Sequence, residues 1–158
     1  LPPALNPGDG RSARLLRHAV AGPLRFTLKH YSPMFEQGEH EHPHAVIDLV
    51  VGGHGRGRYG VAERVSQPGA VEFFGARVGH TFRSGAVGIR TLHMSFDPSL
   101  APPACADVHA PRAFGLLCQV LERLVDNAGG DSDLESLGLE LVGCLRQADP
   151  FRVGGQGG

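Results

Sequence analysis

The sequence predicts a mainly β protein: a sandwich or barrel of short strands, followed by a two-helix hairpin. Three observations carry that expectation. Gly and Pro are plentiful, 23 and 12 in 158 residues, which suits short strands joined by turns. Apolar and polar residues alternate with a period of two along several stretches before Asp97-Pro98. Beyond that dipeptide the apolar spacing changes to that of amphipathic helices.

In order, residues 1–13 (LPPALNPGDGRSA) are rich in Pro, Gly and polar side chains and read as a flexible arm. Leu15 to Val20 is too short to assign. From Leu24 to Tyr31 the chain alternates. Leu24, Phe26, Leu28 and His30 fall on one face; Arg25, Thr27, Lys29 and Tyr31 fall on the other. Ser32 to Glu41 reads as loop. Ala45 to Val51 is a β-branched-rich strand, and Gly52-Gly53-His54-Gly55 reads as the turn that reverses it. Arg56–Tyr59 and Ala62–Val65 are short strands about Gly60. Gln67-Pro68-Gly69 is a turn, Ala70–Phe74 a strand and Gly75–Gly79 a loop. His80–Arg83 is a strand, Ser84-Gly85 a turn, and Val87–Phe96 a long strand ended by Asp97-Pro98.

Ala113 to Asp126 reads as a helix, with Phe114, Leu117, Cys118, Leu121, Leu124 and Val125 on the helical period. Ser132-Asp133-Leu134-Glu135 has the pattern of a capping box opening a second helix. That helix carries Leu134, Leu137, Leu141 and Leu145 on one stripe. Two readings stand side by side. The helices pack on the barrel, or their leucines, Leu117, Leu121, Leu124, Leu137 and Leu141, form a homodimer surface. The expected organisation is an arm at 1–13, a barrel at 14–100, a helical hairpin at 101–148 and a flexible tail or linker at 149–158.

Composition removes several function classes. Net charge is −1 and charged residues make up 20%, so the chain lacks the electrostatic footprint of a nucleic-acid binder. Its apolar runs are too short to span a bilayer, and the N-terminus lacks a basic-then-apolar leader pattern. The three cysteines, Cys105, Cys118 and Cys144, are widely spaced and read as reduced thiols of a cytoplasmic protein.

Chemistry concentrates in Gly38–Gly55, GEHEHPHAVIDLVVGGHG, which holds four of the nine histidines. On a strand, His42, His44 and Asp48 share one face. Inward positions of a small barrel meet at its centre, where His80 joins them. Two imidazoles, a third from His80 and a carboxylate suit a divalent zinc, nickel or iron ion. They serve equally as the polar lining of a ligand pocket. His40 reads as a loop residue or an extra ligand. His18, His30, His54 and His109 read as structural or exposed.

His42-x-His44, the acid at Asp48 and then Gly55 resemble the first cupin motif, with Asp where Glu is usual and Glu36 where a Gly opens it. Gly69 and His80 keep the separation of the second motif, while Gly75, Arg77 and Ser84 replace its Pro, inner Gly and Asn. The order of arm, barrel and paired helices resembles the N-terminal sensing and dimerisation domain of AraC-type transcription regulators. The resemblance covers residues 20–148, on HPHAVIDLVVGGHG, QPGAVEFF, IRTLHMSFDP and the helices. It implies a cupin (double-stranded β-helix, jelly-roll) barrel that binds a small-molecule effector, and helices that pair two copies of the chain. DNA would be read by a separate domain, since nothing after Asp149 forms a helix-turn-helix. The effector is expected in an apolar barrel beside His80 and His93, with Arg90 or Arg77 as partner to an anionic ligand. The alternative is a metal-dependent cupin enzyme, a dioxygenase or isomerase, with a three-His, one-carboxylate site. The helical hairpin, the altered second motif and the shortened acid favour the sensor, without chemistry.

Overall fold

The computed structural model describes residues 12–100, 106–107, 111–126, 130–145 and 149–150. Seven strands come first: β1 (Ala13–Ala21), β2 (Leu24–Tyr31), β3 (Glu36–His40), β4 (Ala45–Tyr59), β5 (Ala62–Ser66), β6 (Val71–Phe74) and β7 (His80–Phe96). A short 3₁₀ turn at Pro98–Leu100, β8 (Ala106–Asp107), helices α1 (Pro111–Asp126) and α2 (Asp131–Cys144), and β9 (Asp149–Pro150) follow. All strand pairs are antiparallel, in the order β1-β2-β7-β4-β6-β8-β9, with β3 added to β7 and β5 to β4.

The spine is the β4–β7 pair, which runs from Ala45 opposite Phe96 to Tyr59 opposite His80. This corrects two expected turns. The Gly52–Gly55 run does not reverse the chain, and Ser84-Gly85 does not end a strand. β4 and β7 continue through both sites, with register shifts between Val50 and Gly52 and between Gly53 and Gly55. An extra residue in one strand bends the pair rather than closing it. Gly53 and Gly88 sit at this corner with φ of 74° and 77°. A Cβ on Gly53 would strike the Gly88 carbonyl, and one on Gly88 the Tyr31 carbonyl. Glycine is needed there for close backbone approach as well as for φ. Beyond the bend, the far halves of β4 and β7 pair with β5 and β3, so one ribbon serves both walls of the barrel.

Two strands depart from the sequence expectation. β1 occupies the stretch left unassigned, and β3 the stretch read as loop. The expected arm at 1–13 lies outside the described residues up to residue 11, and Ala13 already opens β1. Cys105 and residues 151–158 of the expected tail also lie outside them, while Asp149–Pro150 pairs with β8 as a strand.

The main core lies outside the barrel. On β2, β4, β6 and β7, Phe26, Ile47, Phe73, Leu92 and Met94 face α1 and α2, each at most 1% exposed. Burying a large apolar side chain contributes about 1.5–3 kcal/mol. Leu117, Leu124 and Leu141 belong to this same core. These three positions therefore cannot form a dimer surface, because their side chains are already spent on the sheet; Leu121 and Leu137 are half-buried at its margin. α2 presses close because Gly138 has no side chain: a Cβ there would overlap Leu24, Met94 and Phe26. The expected capping box does not form. Gly130 is the N-cap, without a side-chain cap bond, and Ser132 lies inside the first turn. Asp131 and Asp133 in that turn complement the helix dipole instead.

Candidate functional site

The opposite face of the same sheet lines a cavity of about 80 Å³. Strand alternation sets its contents. The residues between Ile47, Leu49, Leu92 and Met94 point the other way, so Val46, Asp48, Val50, Thr91 and His93 line the cavity. Register aligns Thr27, His93, Asp48 and Glu72 in one row across β2, β7, β4 and β6. Tyr31, Tyr59, Phe74 and Phe82 add aromatic walls, with Tyr59 and Phe74 stacked at 4.3 Å. The interior combines apolar and aromatic walls, from Val46, Val50, Ile89, Phe74 and Phe82, with a set of inward polar groups.

Histidines cluster at one end. His40 lies opposite His80 in the β3–β7 register. Their ring centroids are 4.1 Å apart, and His42 is 5.0 Å from each. Among the described residues, the ligating nitrogens of His40, His42 and His80 fall within 4.8 Å of one another. His40 Nδ1 donates to the Gly38 carbonyl and His80 Nδ1 to the Val78 carbonyl, each at 2.8 Å. Those bonds fix the tautomers and leave both Nε2 lone pairs free, the arrangement seen around metal-binding imidazoles. Burial, then the neighbouring histidines His80, His40 and His44 and the Lys29 ammonium, push His42 down to about 4. Burial also lowers His80, against its Val78 bond, with His40 lowering it further. Neutral imidazole is the metal-ligating form. The donor set therefore fits zinc, nickel or iron.

This trio differs from the expected one. His42 and His80 are in it. His40, read as a loop residue or an extra ligand, takes the place assigned to His44, which stacks on His42 at 5.4 Å and stays outside. Asp48 is not with the trio either. It lies deeper, with Oδ2 3.9 Å from His93 Nδ1, too far for a hydrogen bond. Burial, and then the Glu72 carboxylate, push Asp48 well above the usual carboxylate range. His93 is pushed down to about 3 by burial, then by Lys29, His42 and His80, and its Nε2 bonds Thr91 Oγ1 at 2.8 Å. His93 is thus a neutral imidazole at neutral pH, so its proximity to Asp48 is not an ion pair.

Glu72 is raised by burial, partly offset by the Ser66 hydroxyl donating to Oε1 at 3.1 Å and by the Arg64 charge. Burial, and then Asp48, raise Tyr31 to about 12. Of the expected effector partners, His93 lines the cavity and the two arginines do not. Arg90 has the outward parity of β7 and borders a surface cleft beside Val87. Arg77 has φ of 59° in the loop before β7; its backbone N–H donates to the His42 carbonyl at 2.7 Å, and its exposed guanidinium lies 3.7 Å from Glu41. Tyr31, Tyr59 and Glu72 were missed as site residues. The sequence alone sets only Tyr31 on the face of β2 opposite Leu24, Phe26 and Leu28.

The profile of the AraC-like ligand binding domain family matches residues 26–150. The chain belongs to this family. The match runs through this AraC-type cupin domain from β2 to β9, barrel and helices together. Among solved structures, the AraC-like transcriptional activator CuxR aligns with 99% of this chain and 63% of its own, at 13% identity and a TM-score of 0.69. The chain thus spans under two thirds of that activator, and the likeness is one of fold. A cupin superfamily protein from Desulfitobacterium hafniense aligns with 54% of this chain and 78% of its own, at 14% identity and a TM-score of 0.49. A structure of DMSP lyases, RdDddP and RnDddQII, aligns with 46% of this chain and 38% of its own, at 27% identity and a TM-score of 0.44. No curated protein matches the sequence. Among the described residues no helix is long and apolar enough to cross a membrane.

Proposed function

We propose that this AraC-type cupin domain is the effector-sensing and dimerisation module of a transcription regulator. A small molecule binds in the barrel, and DNA is read by a separate domain. The observation that supports this most is the family match, which extends through the sheet, the cavity and both helices as one unit. Effector binding acts through differential affinity for two states of the barrel–helix assembly. The partner-facing stripe is reassigned from the buried leucines to the outward side of α1. Phe114, Cys118, Leu121 and Val125 follow the i, i+4, i+7, i+11 spacing of one helix face, with Phe114 44% and Val125 48% exposed.

Two measurements test this reading. Val125→Asp is expected to yield folded monomer in light scattering, whereas Leu141→Asp is expected to unfold the chain. A Val125→Asp protein that keeps the wild-type mass removes α1 from the interface. For sensing, a compound that raises the thermal midpoint of the full-length regulator is expected to change its operator affinity. Binding without any such change counts against the sensor.

The His40, His42 and His80 trio favours a second reading, a metal-dependent cupin enzyme. A bound metal would supply Lewis acidity at its open coordination positions. The three imidazoles would hold it, and the Gly38 and Val78 carbonyls would orient two of them. Elemental analysis of protein purified without a chelating tag separates the readings. Near-stoichiometric metal, lost in His40→Ala and His80→Ala but kept in His44→Ala, together with turnover, supports the enzyme. Metal-free folded protein leaves the histidines as lining of an effector pocket.

A further inference from the structure

We infer that the floor of the barrel recognises the cationic head of a small effector, a protonated amine or amidine, through Asp48. The inference rests on the effector-sensing reading and adds the chemical class of the ligand. Asp48 is 8% exposed and lines the cavity, and its Oδ1 is buried without a hydrogen-bond partner. Directly across the β4–β6 register, Glu72 is 3% exposed and its Oε2 is also unpartnered. Orphaned buried acceptors are rare because each costs the full desolvation of that atom.

Among the described residues, no cation offsets the burial of Asp48. His93 on β7 is the nearest basic group, beyond hydrogen-bond distance and held neutral by burial and by the Lys29, His42 and His80 charges. Arg64 on β5 acts on Glu72, and Lys29 on β2 acts on His42, His44 and His93. Tyr31, the other titratable group near Asp48, stays protonated. The missing complement is therefore a donor that carries positive charge.

The walls favour the same class. Tyr31, Tyr59, Phe74 and Phe82 border the cavity that Asp48 floors. Aromatic faces attract cations most strongly where water is excluded. An amidinium adds geometric fit, since its paired N–H groups match the two oxygens of a carboxylate. A carboxylate or phosphate ligand at this depth would face Asp48, whose carboxyl no cation among the described residues offsets. A neutral polyol would satisfy the lone pairs but not the charge. The acids are pushed toward their protonated forms. Cation uptake should therefore expel a proton, and affinity should climb as pH rises.

The test uses two probes of the same shape, acetamidinium and acetamide, titrated at equal ionic strength into the isotope-labelled chain while backbone amides of β4 and β7 are followed. Acetamidinium is expected to bind at least about tenfold more tightly, a difference of the size one charge-assisted bond provides. Asp48→Asn is expected to abolish that preference. Glu72→Gln, expected to weaken it, serves as the second variant if Asp48→Asn fails to fold. Equal binding of both probes would overturn the cation inference and leave the barrel as a site for neutral polar effectors. A preference that survives in a folded Asp48→Asn protein would also overturn it, because the charge would then be read elsewhere. Saturation by neither probe would remove this inference together with the effector reading on which it rests.

Discussion

One sheet of this domain has two faces, and they are built on opposite principles. The face under α1 and α2 carries Phe26, Ile47, Phe73, Leu92 and Met94, closely packed and dry. The barrel face, one residue along on the same strands, carries Thr27, Asp48, Glu72, Thr91 and His93. The first face contributes stability through area removed from water. The second opposes it, because ionisable groups are buried there with unpaired oxygens. The helices are thus more than an appendage to a finished barrel. They cover the apolar side that the barrel leaves outside, so its interior can carry polar groups.

The comparison is most directly broken at neighbouring residues. Phe26→Ala is expected to lower unfolding free energy by about 3–5 kcal/mol in urea, as for large buried aromatics. Thr27→Ala, one residue on but facing the barrel, is expected to cost less than about 1 kcal/mol. Equal losses would mean that the barrel face is also a packing core. Gly138→Ala, which drives a methyl into Leu24 and Met94, should cost about 1–3 kcal/mol by overpacking.

Acidity sharpens the contrast, because the barrel face titrates and the helix face does not. His42 and His93 are held below 6.5 in the folded state, at about 4 and about 3. Their contribution is fully present above pH 6.5 and is lost as pH falls through those folded values. Asp48 is raised, so its contribution has the opposite sign: present below 3.8 and lost as pH rises through its folded value. Urea midpoints measured from pH 8 to pH 4 should therefore fall on the acid side, and less so in His42→Asn. Asp48→Asn should raise the midpoint at neutral pH, removing the cost of ionising or neutralising that acid. A midpoint unchanged in Asp48→Asn across the range would remove Asp48 from the balance. The smallest effect is expected far from both faces. Arg112 and Glu140 pair at 2.9 Å on the exposed side of the helices, and Arg112→Ala should leave the midpoint unchanged.

Periodicity in the sequence revealed both faces of β2 and the inward parity of Asp48 and His93, whereas His42 and His44 precede β4 and owe nothing to strand alternation. It also revealed the two helices, because a twofold or 3.6-fold pattern is a local property. Glycine has two meanings in this chain. Gly52-Gly53 and Ser84-Gly85 look like turns, yet a bulged strand passing a barrel corner needs the same residue type. The difference lies in whether a distant strand is paired there, which no local pattern encodes. The same blindness displaced the histidine site. EQGEH has no apolar face, so β3 was invisible, and only the pairing of β3 with β7 sets His40 against His80. The leucines were read correctly as an apolar stripe, but which surface they meet depends on the sheet they cover.

The alternation along β4 and β7 has one more consequence. Ile47 and Asp48 are consecutive, as are Leu92 and His93, so the ligand chamber and the helix bed are separated by the thickness of a single peptide chain. The sheet is a single skin between the cavity on one side and α1 and α2 on the other. A tug on the carboxylate of residue 48 tilts the peptide that seats Ile47, and a close-packed bed cannot absorb that tilt without its helices shifting too. Under the effector-sensing proposal, signal and support would run through the same backbone, with no long chain of intermediaries to carry the message.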